Sequence, residues 1–315
     1  MWERGGRRPR RRPSPELTVP ERRSWSYYDK PIIKRPGWNT LDIAGYLFLG
    51  GLAGASSALA AAADGTGRPR LARTAKIGSL VSITLSGAAL VHDLGRPERF
   101  LNMLRVVKPT SPMSIGSWIL TAYAPGAGVA AITDVTGWFP WAGRAATAWA
   151  ALTGPAVLSY TAVLICNTAV PSWHAAYREM PFLFAGSALG AAAGLGLLTA
   201  PPEETDLARG AAVLGAVVEL TTAYRMYRRL GPLSEPYHKG RPGVLMRASE
   251  VLTVAGTLAA VTVGGRNRLY GMLAGAALIA ASACTRFGVF EAGITSAKEA
   301  KYTVMFQRLR PPDEG

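Results

Sequence analysis

LDIAGYLFLGGLAGASSALAAAA, residues 41–63, carries a single charged side chain, Asp42, before Asp64 ends the run. A bilayer core about 30 Å thick takes roughly 20 apolar residues of helix to cross, so this stretch is long enough to span it. Runs of the same character, rich in Ala, Leu, Val, Gly and Ile, occupy 75–92, 113–133, 146–169, 181–200, 209–226, 247–264 and 269–287. Core helices of soluble proteins rarely reach that length without charge. Together the runs predict an all-α integral membrane protein with about eight transmembrane helices.

The charges are crowded outside these runs. Apolar residues make up 49% of the chain and charged ones 17%, with a formal net charge of +15. In a soluble protein that balance would point to nucleic acid. Here the basic residues sit in the N-terminal tail and the loops, where membrane topology uses them, and nucleic acid is set aside as a partner. With eight spans, one face holds both termini and the loops 93–112, 170–180 and 227–246, and it takes 27 of the 35 Lys and Arg residues. The positive-inside rule places that face, with both termini, in the cytoplasm of a cell (inner) membrane. Residues 1–24 combine Arg4, Arg7, Arg8 and Arg10 to Arg12 with Pro9, Pro13, Pro15 and Pro20. Such a composition buries little and predicts a disordered, basic tail. No prompt apolar stretch or small-residue cleavage site follows Arg7-Arg8, so the tail is read as retained.

Cys166 and Cys284 are the only cysteines, both inside apolar segments. An iron–sulfur cluster needs about four, so these two are expected to be small packing residues. His92, His174 and His238 lie beside different segment ends, and no facing pair exists to hold a b-type haem. The chain is therefore expected to carry no metal, haem or iron–sulfur cluster of its own. Trp38, Trp138, Trp141 and Trp173 fall near segment ends, as interfacial anchors do. Gly50 and Gly54, Gly186, Gly190 and Gly194, and Gly271 and Gly275 recur at four-residue spacing, which lets helix backbones approach closely in lipid. Residues 97–107 alternate Phe100, Leu101, Leu104 and Val107 with Arg99, Asn102 and Arg105, the pattern of a short helix lying on the membrane surface.

Burying an ionisable group in lipid is costly, so the few inside or beside the spans carry information. His92 and Asp93 close the second span, Glu219 lies mid-way along the sixth, Glu250 begins the seventh and Arg286 ends the eighth. In the assigned topology His92, Asp93, Glu250 and Arg286 lie towards the cytoplasmic face, with Asn39 and Asp42 at the start of the first span. Such a layer can be an ordinary interfacial one, and His92 can simply cap its helix. A mid-span carboxyl such as Glu219 is either functional or paired structurally, and function is favoured.

The stretch His92-Asp93-Leu94-Gly95-Arg96-Pro97-Glu98-Arg99-Phe100, continued through Leu101-Asn102-Met103-Leu104 to Ser111-Pro112-Met113-Ser114-Ile115-Gly116-Ser117-Trp118, resembles the NrfD-like polysulfide reductase membrane-subunit family. Tyr27-Tyr28-Asp29-Lys30-Pro31 through Tyr46 to Gly54, and Arg286-Phe287 with Ala292-Gly293 and Ser296-Ala297, agree with it. The resemblance covers about 25–300 and leaves 301–315 as a C-terminal tail. Lys298 and Glu299 depart from it, standing where an acidic residue followed by proline is expected.

The resemblance implies two four-helix bundles and a quinone-reactive membrane subunit of a respiratory oxidoreductase. The partners it implies are a ferredoxin-like iron–sulfur subunit and a catalytic subunit of molybdopterin type, as in formate dehydrogenases and polysulfide reductases. Heavy use of Ala, Gly and Arg suggests a GC-rich genome and is compatible with menaquinone as the quinone, although composition does not identify it. His92 is then the expected quinone ligand and proton relay, with Asp93 holding its tautomer or passing the proton on. Asn39 and Tyr160 are candidates for further quinone contacts. Glu219 is expected to carry protons through the interior, with Glu250 and Arg286 extending the route. Arg96 and Arg99 are expected to steady their loop or dock the partner. The alternatives are an ion-coupled secondary transporter with Glu219 as the ion site, and a structural anchor without quinone chemistry.

Overall fold

The computed structural model describes residues 32–33, 36–93, 102, 104–105, 107–265 and 267–309. Every regular element among the described residues is helical. Asn39 starts α1 (Thr40–Gly65), its side-chain oxygen accepting the Leu41 amide at 3.0 Å. α2 (Pro69–Asp93), α3 (Pro112–Thr136), α4 (Pro140–Cys166), the short α5 (Pro171–Ala175) and α6 (Met180–Thr199) follow. Each of these five has proline in its first turn, where the missing N–H is no loss. After a 3₁₀ turn at Pro202–Glu204 come α7 (Asp206–Leu230), the short α8 (Glu235–His238), α9 (Gly240–Thr262), α10 (Arg268–Lys298) and α11 (Ala300–Leu309). The Glu204 carboxylate accepts the Arg70 and Leu71 amides at 2.8 and 3.0 Å, capping the start of α2 from across the molecule.

Seven of the described helices, α1, α2, α3, α4, α6, α9 and α10, are long and apolar enough to cross a membrane. α7, at 25 residues, is also long enough. It falls outside that set because Arg209 and Glu219 interrupt its apolar run. Two boundaries move from their expected places. α9 begins seven residues before 247, and α10 continues well past 287. The reason is physical: a helix runs as far as its backbone pairing does, and charged first or last turns hide that from hydropathy.

α1 to α4 pack together, as do α6, α7, α9 and α10, with α1 against α6 at the seam between the groups. Small residues set the closest crossings. A Cβ on Gly54 would lie 2.5 Å from the Gly154 carbonyl of α4, and one on Gly194 would lie 2.5 Å from the Gly275 carbonyl of α10. At the end of the molecule holding the start of α1, α5 tucks Trp173 into the core, where its indole donates to the Val289 carbonyl at 2.8 Å and stacks on Trp38. Trp173 is fully buried and is not an interfacial anchor, whereas Trp138 and Trp141 are exposed as expected of one. The basic tail 1–24, Arg96, Arg99 and most of the surface helix expected at 97–107 lie outside the described residues.

Candidate functional site

α1 and α2 are joined by a tight turn and run antiparallel, which returns the end of α2 to the start of α1. Two contacts close that end. Asp93 accepts the Asn39 backbone N–H at 3.1 Å, and His92 Nδ1 meets the Asp42 carboxylate at 3.0 Å. The carboxylate against the imidazole is thus Asp42, with Asp93 serving as the tie between helices. The His92 ring is 76% exposed while Asp42 is largely covered. This pair holds Nδ1 from behind and leaves most of the ring at the molecular surface.

Deeper along α1 than Asp42, by about 6 Å at 1.5 Å per residue, the Tyr46 hydroxyl faces that of Tyr160 on α4. The Tyr160 ring fills the space that a side chain at Gly116 would need, since a Cβ there would lie 1.7 Å from its Cζ. Asn39 and Tyr160 therefore stand at different depths, Asn39 exposed at the start of α1 and Tyr160 buried within the bundle.

Arg286 does not end a span. It lies inside α10, fully buried at the seam, because α10 runs on to Lys298. Its guanidinium lies 3.9 Å from the centre of the Phe184 ring and donates to the carbonyls of Phe184 at 2.7 Å and Leu47 at 3.4 Å. One cation thereby ties α10 to α6 and α1. Gly51 makes room for it, since a Cβ there would lie 3.0 Å from Nη2.

Glu219, on α7, is buried and sits in a ring of neutral donors. Its carboxylate accepts from the hydroxyls of Thr285 at 2.6 Å, Thr253 at 3.3 Å and Ser249 at 3.5 Å. Ser249 and Thr285 are themselves 2.5 Å apart. Glu219 approaches α6 closely because Gly186 has no side chain: a Cβ there would lie 2.5 Å from the Glu219 amide nitrogen. Glu250 does not begin its span; it lies three turns into α9, beside Tyr227. Glu219, Arg286 and the α9 hydroxyls thus share one interior cluster, separate from the His92–Asp42 pair at the surface.

A second buried polar group escapes a reading of the sequence. Lys76 on α2 lies between Asp64 of α1 at 2.7 Å and Asp134 of α3 at 2.9 Å, towards the opposite end of the first bundle. Beyond it, Ser57, Ser79 and the Tyr123 hydroxyl lie within 2.8 Å of one another, and Tyr123 donates to the Ala53 carbonyl at 2.7 Å. The available signal is the spacing of Lys76 and Ser79, which puts both on one face of α2. Among the described residues no three His, Cys, Asp or Glu side chains gather as a metal-ligand group.

The length and apolar character of seven of its described helices define a polytopic α-helical membrane protein. The family model described as polysulphide reductase, NrfD, matches residues 34–201, just over half of the chain. The chain belongs to this family, whose members are membrane subunits of quinone-linked oxidoreductases. No curated protein matches it. The match takes in α1 to α6, with Asn39, His92, Asp93 and Tyr160, and ends before Glu219, Glu250 and Arg286.

Proposed function

We propose that this chain is the membrane anchor and quinone-reactive subunit of a respiratory oxidoreductase complex. It would exchange electrons between an iron–sulfur partner and membrane menaquinone. The observation that carries the reading is the His92–Asp42 pair, exposed at the end of the helix that opens the family motif. Reducing a quinone to a quinol takes two electrons, here from the iron–sulfur partner, and two protons. His92 supplies one proton from Nε2 to a carbonyl oxygen and, reprotonated from solvent at its exposed ring, the second, while Asp42 holds Nδ1 in place from behind. Asp93, by holding the Asn39 amide, fixes the spacing of α1 and α2 on which that pair depends. Asn39 and Tyr160 are the candidates for the remaining quinone contacts. Arg96 and Arg99 are assigned to steadying their loop or docking the partner, and the charge bias supports a cytoplasmic partner. Glu219 is assigned to proton transfer through the interior, with Arg286 and Glu250 beside it.

The test is His92→Ala in the assembled complex. Loss of a general acid of this kind lowers turnover about 10²–10⁴-fold, here in quinone-linked turnover with the partner subunits still bound. Full turnover in that variant would remove His92 from the chemistry and leave a structural anchor. An ion-coupled reading draws on the ring of oxygens around Glu219. Sodium-dependent solute uptake by the chain alone in proteoliposomes, abolished by Glu219→Gln, would establish it in place of the redox role.

A further inference from the structure

We propose that the cavity beside the start of α9 is a phosphate-recognition site, and that its occupant is the head group of an anionic phospholipid. The cavity measures about 450 Å³ and lies where the beginnings of α1, α9 and α11 meet the end of α10. Four cations line it, Lys239, Arg241, Lys298 and Lys301, against two carboxylates, Glu291 and Glu299.

Part of that charge is already engaged. Lys239 pairs with Glu235, Arg241 Nε lies 3.3 Å from Glu291, and Lys301 lies 3.1 Å from Glu299 and 3.4 Å from Glu235. The Lys239 hydrogen bond holds the Glu235 carboxyl down at about 2, so that acid stays ionised at neutral pH. Lys298, in contrast, is exposed and makes no ion pair among the described residues. Lys239 and Arg241 keep more than two thirds of their side-chain surface open. A phosphate entering the cavity would complete the set with charge-assisted bonds from three separate elements.

The surroundings choose the source of that phosphate. One turn below Arg241, the exposed apolar residues Val244, Val251 and Leu258 follow at seven-residue spacing along α9. Residues seven apart on a helix stay on nearly one face, so a ridge fit for an acyl chain descends from the rim of the cavity. A soluble phosphate would use the cations and leave the ridge idle. A lipid uses both, and a basic pocket on the cytoplasmic side of a membrane protein is a place where anionic head groups gather. This site shares no residue with the proposed quinone site and does not depend on it.

The experiment is native mass spectrometry of the full chain, purified in non-ionic detergent and titrated with phosphatidylglycerol, phosphatidylcholine or soluble glycerol 3-phosphate. Phosphatidylglycerol is expected to bind best. Arg241→Ala and Lys298→Ala should each weaken it about fivefold, and the double variant about thirtyfold. Lys298→Arg should bind as the parent does, and Arg144→Ala, at the opposite face, should change nothing. Equal binding of phosphatidylcholine and phosphatidylglycerol, or an unaltered double variant, would overturn the proposal. Glycerol 3-phosphate binding as tightly as the lipid would also overturn it, leaving a site for a soluble anion. No turnover is read, so either result leaves the quinone assignment standing or falling by its own test.

Discussion

Glu219 and Lys76 are both ionisable side chains drawn out of water, and the sequence betrays only one of them. Glu219 stands alone in the middle of an apolar run, so its cost in lipid makes it conspicuous. Lys76 sits at the edge of a run, and its partners Asp64 and Asp134 come from other helices. No one-dimensional pattern joins the three. The pairing of His92 shows a related limit. Asp93 is its neighbour in sequence, but adjacent residues on a helix point about 100° apart and do not face each other. The carboxylate that reaches the ring comes from the antiparallel neighbour, in the first turn of α1. The donors around Glu219 support a prediction at this scale. Thr285→Val removes its shortest hydrogen bond and leaves a buried carboxylate less satisfied, a loss of about 1–3 kcal/mol. Thr285→Ser keeps the hydroxyl and should cost less. Thermal unfolding in detergent measures both, and equal midpoints for the two variants would show that the bond contributes nothing.

Helices as elements were legible because apolar length is a property of the sequence alone, and each expected span finds a helix within the described residues. Their ends were less so. Hydropathy stops at Phe287, while α10 continues to Lys298 because its last turns bury Val289, Phe290 and Ala292 beneath α5. The glycine ridges form one class in the sequence and divide into two in the structure. Gly54 faces backbone across a crossing, whereas a Cβ on Gly190 would meet nothing within 4 Å. Gly54→Val should therefore force α1 away from α4 at a cost of about 1–3 kcal/mol or more, the range for overpacking a tight core. Gly190→Ala should be neutral or slightly stabilising, since alanine favours the helix by up to about 1 kcal/mol. Unfolding midpoints of the two variants test the distinction, and a destabilised Gly190→Ala would mean that α6 packs more tightly there than the contacts show.

For the molecule as a whole, the antiparallel pairing of the helices sorts the ion pairs between helices to one of two ends. His92–Asp42, Arg229–Glu179 and Arg241–Glu291 share one end, while Lys76–Asp64, Arg73–Asp134 and Arg68–Asp206 share the other. Ion pairs occur at both, so pairing alone gives no direction. The count of Lys and Arg does, because topology responds to basic residues near span ends and little to acidic ones. The excess, 27 against 8 of the 35, lies with His92. This predicts that the end proposed to react with quinone, and with it the proposed iron–sulfur partner, faces the cytoplasm. The check uses a chain with Cys166 and Cys284 replaced by alanine and one new cysteine, as Lys239→Cys or Arg144→Cys. Both positions are exposed and lie at opposite ends. In intact cells an impermeant maleimide should label Arg144→Cys and spare Lys239→Cys until the membrane is opened. The reverse pattern would place His92 outside the cytoplasm, and with it the face proposed to receive the electron-transfer partner.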